Sequence, residues 1–390
     1  MVKQNKLLIF ILTFGVFGII NTEMGVIGIL PSLAEHFDVS ISKAGWLVSL
    51  FALVIAVSGP TMPILFSSID RKKVMLLVLG VFVLGSIVSI FTTNFTVALI
   101  ARIIPAFFHP IYCSLAFSVA ADSVSKEEAP KAVSKVFVGV SAGMVVGVPI
   151  ASFIASAVSL QMALAFFSLV NAIAFLATWI YVPSMPVKEK LSYGTQISVL
   201  KKLITWQSIV AVIFLNSAVF GVYSYLAEYL KTVTNMSSNV ITITLMVFGG
   251  ANIIGNIVAG KLLTKNAQKT IISFPIALGA IYLLIFLFGH FSISMAVITL
   301  IWGILAGVGG NINQYWIMSA APESPDFANG LFISSCNVGT TIGTALGGMF
   351  IAGLGTQYVV LVGGISLVLS AMFIMIRISM YRTNADQLAR

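Results

Sequence analysis

Twelve long apolar stretches divided by short polar breaks set the terms on which this chain of 390 residues can fold. They run near 7 to 30, 44 to 66, 74 to 93, 97 to 119, 133 to 157, 162 to 183, 207 to 230, 240 to 263, 270 to 289, 292 to 318, 327 to 353 and 356 to 376. Crossing the hydrocarbon core takes about 20 apolar residues as a helix. Free backbone amides find no partner there, so such runs must be helices, and they are too long and unbroken for the alternating strands of a barrel. Only 8% of the residues are charged, against about 25% in a soluble domain. The expected fold class is therefore an all-α membrane protein with twelve transmembrane helices and the lipid bilayer as a partner.

The cations orient these spans. With the N-terminus in the cytoplasm, most of the 21 Lys and Arg fall on that side, from Lys3 and Lys6 through Arg71, Lys72 and Lys73 to Arg377, Arg382 and Arg390. Lys43 and Lys231 fall on the other face, and Arg102 within a span. The bias predicts both termini in the cytoplasm of a multi-pass inner-membrane protein. It also accounts for the basic balance without nucleic acid as a partner. The N-terminal apolar run has no small-residue cleavage site before Leu30 and reads as a permanent span. Asn94 and Asn235 form Asn-x-Ser/Thr triplets on outer loops.

Catalysis finds no material. Cys113 and Cys336 sit in apolar runs and make neither a disulfide framework nor a metal site. His36, His109 and His290 lie on distant segments. Gly255 to Lys261 approaches a phosphate loop, but Leu262 stands where Ser or Thr is required. The chain is read as no enzyme, with no cofactor and no metal.

The chain also repeats itself. The longest loop, Pro183 to Thr205, divides the spans six and six, giving an N-terminal bundle over 1–183, a linker over 184–205 and a C-terminal bundle over 206–390. Within the linker, Ser192 to Ile204 has the spacing of a surface helix. Gly59 and Gly255, Gly143 and Gly339, Gly147 and Gly343, and Lys73 and Lys269 all stand 196 positions apart. Six-plus-six repeats are how many secondary transporters are built, and a duplicated chain of this kind argues against a channel.

The stretch NTEMGVIGILPSLAEHFDVSISKAGWLVSLFALVIAVSGP resembles the first two spans of arabinose-efflux-like and purine-efflux-like exporters in the drug:proton antiporter-1 branch of the major facilitator superfamily. ARIIPAFFHP is similar to that family's span 4 motif with its membrane Arg. GVSAGMVVGVPIASFI, holding Gly139, Gly143, Gly147 and Pro149, is similar to its span 5 antiporter motif. The resemblance covers nearly the whole chain and implies the major facilitator fold. It further implies a proton-coupled monomeric transporter that exports a small polar organic solute or drug by alternating access. A proton symporter and, further off, a membrane-embedded enzyme stand as alternatives. The basic end of the loop between spans 2 and 3, Arg71 and Lys72, matches the family's gating motif, whereas Ser67 replaces its Asp. Asp70, one turn later, either substitutes for that Asp or balances Arg71.

An ionised group within a span needs a partner, water or a function. Glu23, Arg102 and His109 fit this description. By helix rise Glu23 is about 10 Å from the outer end of span 1 and Arg102 about 8 Å from that of span 4, while His109 is two turns deeper on Arg102's face. With spans 1 and 4 around one cavity, as the resemblance implies, Glu23 carries the proton, alternates with Arg102 as partner, and has His109 as a relay. The bland reading is a fixed structural pair. Glu228 beside Lys231 reads as a rim pair.

The resemblance places spans 1, 4, 7 and 10 around a centre, where Asn21, Asn216, Tyr223, Trp302, Asn311, Asn313 and Gln314 offer amides and aromatic walls for a polar solute. Sugars, nucleosides, nucleobases and moderately polar antibiotics all suit such groups. Each Asn also has a reading as glue between helices. Gly139, Gly143 and Gly147 form a small-residue ridge for close helix approach, with Pro149 bending the helix.

Overall fold

The computed structural model describes residues 2–39, 41–44, 46–187 and 193–388, and among them the regular structure is helical throughout. The chain divides into two compact units, Met1–Gln196 and Ile197–Arg390.

In the first unit, α1 (Val2–Gly28) stops at Ile29 and turns into the short α2 (Leu30–His36). Next come α3 (Ile41–Ala44), α4 (Trp46–Ser58) and α5 (Met62–Phe66). The single span expected over 44 to 66 is thus two helices. Pro60 has no N–H to continue the ladder beyond Gly59, whose amide closes the last turn on Ile55. Next are α6 (Arg71–Phe91) and α7 (Phe95–Asp122), which the Asn94 side chain caps by accepting from the amides of Thr96 and Val97. Span 5 is α8 (Ala129–Ala142), a π turn over Gly143–Gly147, and α9 (Val148–Ala157). The widened turn sits just before Pro149, which lacks the amide that would hold an ordinary turn. The bundle closes with α10 (Leu160–Tyr181), which packs on α6 and α1.

Where the two units divide lies α11 (Tyr193–Ile197), followed by a 3-10 turn over Ser198–Lys201. The surface helix expected over 192 to 204 is therefore broken, and Ser192 itself lies outside the described residues, as do Lys188, Glu189 and Lys190.

The second unit contains α12 (Leu203–Tyr223), α13 (Leu226–Thr232), α14 (Ser238–Phe288), α15 (Ser292–Met318), α16 (Pro325–Leu354) and α17 (Val359–Leu388). Two expected spans share α14, which is interrupted at Asn266, an extended residue with φ −161° and ψ 89°. Helices α16 and α17 pack along α12, and α15 packs along α14. The side chain of Glu228 lies outside the described residues.

The two units share local geometry at the spacing of 196 seen in the sequence. Ile29 has φ −116° and ψ 12° where α1 gives way to α2, and Tyr225 has φ −113° and ψ 10° where α12 gives way to α13. Both following helices have seven residues. Asp70 accepts the amide of Lys73 at 3.1 Å, and Asn266 that of Lys269 at 2.9 Å. A Cβ on Gly147 would collide with Asn21 Oδ1, and one on Gly343 with the carbonyl of Ser217.

Nine helices among the described residues are long and apolar enough to cross a membrane, the kinked α14 counting once. Both halves of α14, the thirteen-residue α4 and the thirty-residue α16 bring the spans to twelve in two six-helix repeats. Large apolar side chains such as Phe91, Phe153, Ile293 and Val368 stand exposed, as they must where the solvent is hydrocarbon.

Candidate functional site

Helix α1 carries Glu23, and α7 carries Arg102 and His109 two turns apart. Helix α4 inserts Phe51 beside both α7 residues. The Arg102 guanidinium lies 4.9 Å from the centre of the Phe51 ring. The His109 ring meets Phe51 edge-on with centroids 6.3 Å apart. All three polar residues are largely withdrawn from solvent, with Arg102 and His109 buried.

Their pairing differs from the sequence expectation. Oε2 of Glu23 lies 3.0 Å from Nε2 of His109. Arg102 donates instead to backbone carbonyls, from Nε to Leu47 at 3.0 Å, from Nη1 to Thr22 at 3.2 Å and from Nη2 to Glu23 at 3.3 Å. Arg102 thus reaches the backbone of residue 23 and not its carboxyl. Side-chain direction decided the partner. A helical side chain leans toward its own N-terminus, so Glu23 leans along α1 toward the depth of His109, and His109 leans along α7 toward Glu23. Arg102, on the same helix as His109, leans the same way, toward the N-terminus of α7 and away from the Glu23 carboxyl. Cys113, one turn beyond His109, brings Sγ to 3.8 Å from the same Nε2.

A buried carboxyl–imidazole pair can hold one proton between two bases. Beside the permanent charge of Arg102, loading the proton takes the trio from net neutral to net positive.

Backbone packing explains why α7 sits where it does. Pro105 leaves the Ala101 carbonyl without its helical donor, and Gly85 of α6 approaches that carbonyl so closely that a Cβ would collide with it. Across from α7, Gly139 and Gly143 bring span 5 onto Thr13 and Ile20 of α1. Both polar atoms of the fully buried Asn21 side chain lack a hydrogen-bond partner, beside the π turn.

In the second unit three of the six expected residues tie helices together by hydrogen bonds. Asn216 donates to the Cys336 carbonyl at 2.6 Å and to Thr340 Oγ1 at 2.8 Å. Asn311 donates to Asn256 Oδ1 at 2.8 Å and Gln314 to Asn329 Oδ1 at 2.8 Å. Asn313 reaches only Cys336 Sγ at 3.9 Å, and its Oδ1 is buried without a partner. Tyr223 stacks on Phe248 with centroids 4.6 Å apart, and Trp302 packs edge-on against both of these rings.

The loop before α6 is tied down on several sides. Arg71 Nη1 lies 2.7 Å from Asp122 Oδ2, an ion pair between the start of α6 and the end of α7. Lys72 Nζ donates to the Trp179 carbonyl at 2.8 Å. Ser67 accepts from Gln196 Nε2 at 2.9 Å. Burial works against ionisation of Asp70, but the Ser184 hydroxyl and the amides of Lys73, Met185 and Lys72 outweigh it and hold the carboxyl below its ordinary value. Glu323, paired with Lys202, is likewise held low despite partial burial.

Arg377, near the C-terminal end of the chain, is buried. Nη1 donates to Ser208 Oγ at 2.9 Å and to the Trp316 carbonyl at 2.7 Å, Nη2 to Ser319 Oγ at 2.9 Å, and the guanidinium lies 3.8 Å from the Trp316 ring centre. It thereby ties α17 to α12 and to the C-terminus of α15, where a cation suits the carbonyl ends.

The defining pattern of the Major Facilitator Superfamily matches residues 10–332. The chain is 28% identical to YtbD, an MFS-type transporter of Bacillus subtilis, over 94% of each chain. It is 27% identical to the inner membrane transport protein YdhP of Escherichia coli over 91% of each. A probable sugar efflux transporter of Helicobacter pylori is 26% identical, again over 91% of each. Among solved structures, the human organic anion transporter MFSD10 matches with a TM-score of 0.79 at 16% identity, over 95% of this chain and 99% of that one. FucP in its outward conformation matches with a TM-score of 0.77 at 15% identity, over 95% and 98%.

Proposed function

This chain belongs to the Major Facilitator Superfamily and is a multi-pass membrane transporter for small molecules, and from that premise we propose that it exports a small polyhydroxylated solute, of sugar type, in exchange for protons. Transport is by alternating access, as a monomer in the cytoplasmic membrane with both termini in the cytoplasm. The observation that carries the proton-coupling reading is the Glu23–His109 contact of 3.0 Å inside spans 1 and 4. A carboxyl that loses its partner in a dry setting takes up a proton, so making and breaking this contact couples proton binding to the transport cycle. Arg102 holds the backbone of α1 at residues 22 and 23 and supplies the fixed charge.

Each unit offers its own candidates for solute contact, Asn21 in the first and Asn313 and Tyr223 in the second, and the side chains of Asn21 and Asn313 keep polar atoms without a hydrogen-bond partner. Asn216, Trp302, Asn311 and Gln314 keep the neighbouring helices in register. Arg71 and Lys72 hold the gate at the α6 end, and the Gly139, Gly143, Gly147 and Pro149 ridge allows α1 and span 5 to move closely together. The sugar type is supported by the name of the Helicobacter pylori relative and by the amide and aromatic character of these side chains.

The test begins with thermal stabilisation of the purified protein by a panel of pentoses and hexoses. The best labelled hit then goes into inside-out proteoliposomes with an acid lumen. Antiport accumulates it in the lumen, whereas symport drives it out. Absence of any gradient effect contradicts proton coupling.

A further inference from the structure

A small pocket lies wholly within the N-terminal unit, between α1, α2, α4, α6, α7 and α10, and its polar lining is Thr22, Ser86, Ser89 and Arg102 among phenylalanine rings. Its volume is about 30 Å³, and a water needs about 10–15 Å³ and two or more polar partners. The partners are present. Arg102 spends three of its five N–H groups on carbonyls, leaving two as donors. Ser89 donates to the Gly85 carbonyl at 2.8 Å, which leaves its oxygen free to accept. Ser86, buried at 7% exposure, offers a second hydroxyl.

Arg102 stands between this pocket and the Glu23–His109 pair. Its bond to the Glu23 carbonyl, at 3.3 Å, is the longest of the three and links it to the backbone of the pair's own carboxylate residue. The charged groups of the surrounding helices leave the pocket one destination for a proton. Helices α4 and α10 carry none, while Arg71, Lys72 and Lys73 of α6, Lys3 and Lys6 of α1 and Asp122 of α7 stand at the far ends of their helices from the pocket. On α2, Glu35 is exposed and His36 is engaged with the Thr92 carbonyl at 3.2 Å. Lys43 of α3 lies over the Phe95 ring. Glu23 is thus the carboxyl that a proton leaving this pocket reaches.

We propose that the pocket holds a short chain of ordered waters that carries protons to Glu23 and His109 from inside the N-terminal bundle, with Arg102 as its gate. A hydronium at the inner end gives its proton to the Glu23–His109 pair and remains as water, and the next water in the chain replenishes it. The inference rests on the proton-carrying reading of Glu23.

The experiment is a stopped-flow pH jump on the purified transporter in detergent, with a soluble pH-indicator dye reporting proton uptake. Ser86→Val fills the pocket with methyl groups and removes a hydroxyl. It is expected to slow uptake by about tenfold, the effect of one lost hydrogen bond on a barrier, with the amplitude unchanged. Ala98→Val narrows the same pocket from α7 and is expected to slow uptake too, whereas Ser86→Thr keeps the hydroxyl and most of the rate. Parent-like rates in folded Ser86→Val and Ala98→Val overturn the pocket route. Glu23→Gln tests the underlying reading separately, because it removes the pair's one-proton share of the amplitude; if Glu23→Gln loses that share while the pocket variants keep their rate, only the route fails.

Discussion

Glu23 on α1 and His109 on α7 meet side chain to side chain at 3.0 Å, while Arg102 passes them by and grips the carbonyls of Thr22 and Glu23. This division of labour separates the titrating pair from the group that positions it, and each part has its own signature.

His109→Gln keeps a polar group opposite Glu23 but removes the second base. Gradient-driven transport is expected to fall by about two orders of magnitude, the usual worth of a positioned acid–base group, while solute exchange at equal pH continues. Initial rates in proteoliposomes with and without a pH gradient measure both. Equal losses in the two assays would make His109 a packing residue.

Arg102→Lys retains a charge and loses the fork. A lysine cannot reach three carbonyls on two helices while lying on Phe51, so stability falls by about 3 kcal/mol. Thermal unfolding in detergent reads this as a lowered Tm. An unchanged Tm would mean that the guanidinium does not hold α1 to α4 and α7.

Gly139→Ala and Gly339→Ala place a methyl group against the Thr13 and Ile213 carbonyls. Overpacking of this kind costs about 1–3 kcal/mol. Parallel Tm losses are expected, one in each unit. Gly353, with nothing near its added Cβ, is the control position and should tolerate alanine.

The cap at Asp70 carries a pH dependence of defined sign. Its carboxyl is held below the ordinary value of 3.8 in the folded protein, so its contribution is complete above that value. It is lost as the pH falls through the lower folded value. Asp70→Ala should therefore lower stability by about 1 kcal/mol at neutral pH, and the difference should shrink toward pH 3. Denaturant titrations across that range report it.

Much of the architecture was legible because membrane helices announce themselves by length and apolarity, and because the duplication preserves backbone detail. The spacing of three glycine pairs and of Lys73 and Lys269 signals the repeat, which extends to the break at Ile29 and Tyr225 and to the caps at Asp70 and Asn266. Depth arguments placed Glu23, Arg102 and His109 in one region, but depth has no direction. The lean of side chains toward their own helix N-termini would have favoured His109 over Arg102 as the partner. Arg377 looked like one more terminal cation, since the residues that bury it, Ser208, Trp316 and Ser319, lie on two other helices. The amides of Asn216, Asn311 and Gln314 were visible, but whether an amide faces a solute or a neighbouring helix depends on helix rotation, which the spacing of one helix leaves open.

The most direct test drives the identified solute with a pH gradient in proteoliposomes of the parent and of Glu23→Gln. Gradient-driven accumulation disappears in Glu23→Gln, and labelled-solute counterflow at equal pH persists, if this carboxyl carries the proton. Accumulation at the parent level in Glu23→Gln would contradict the account.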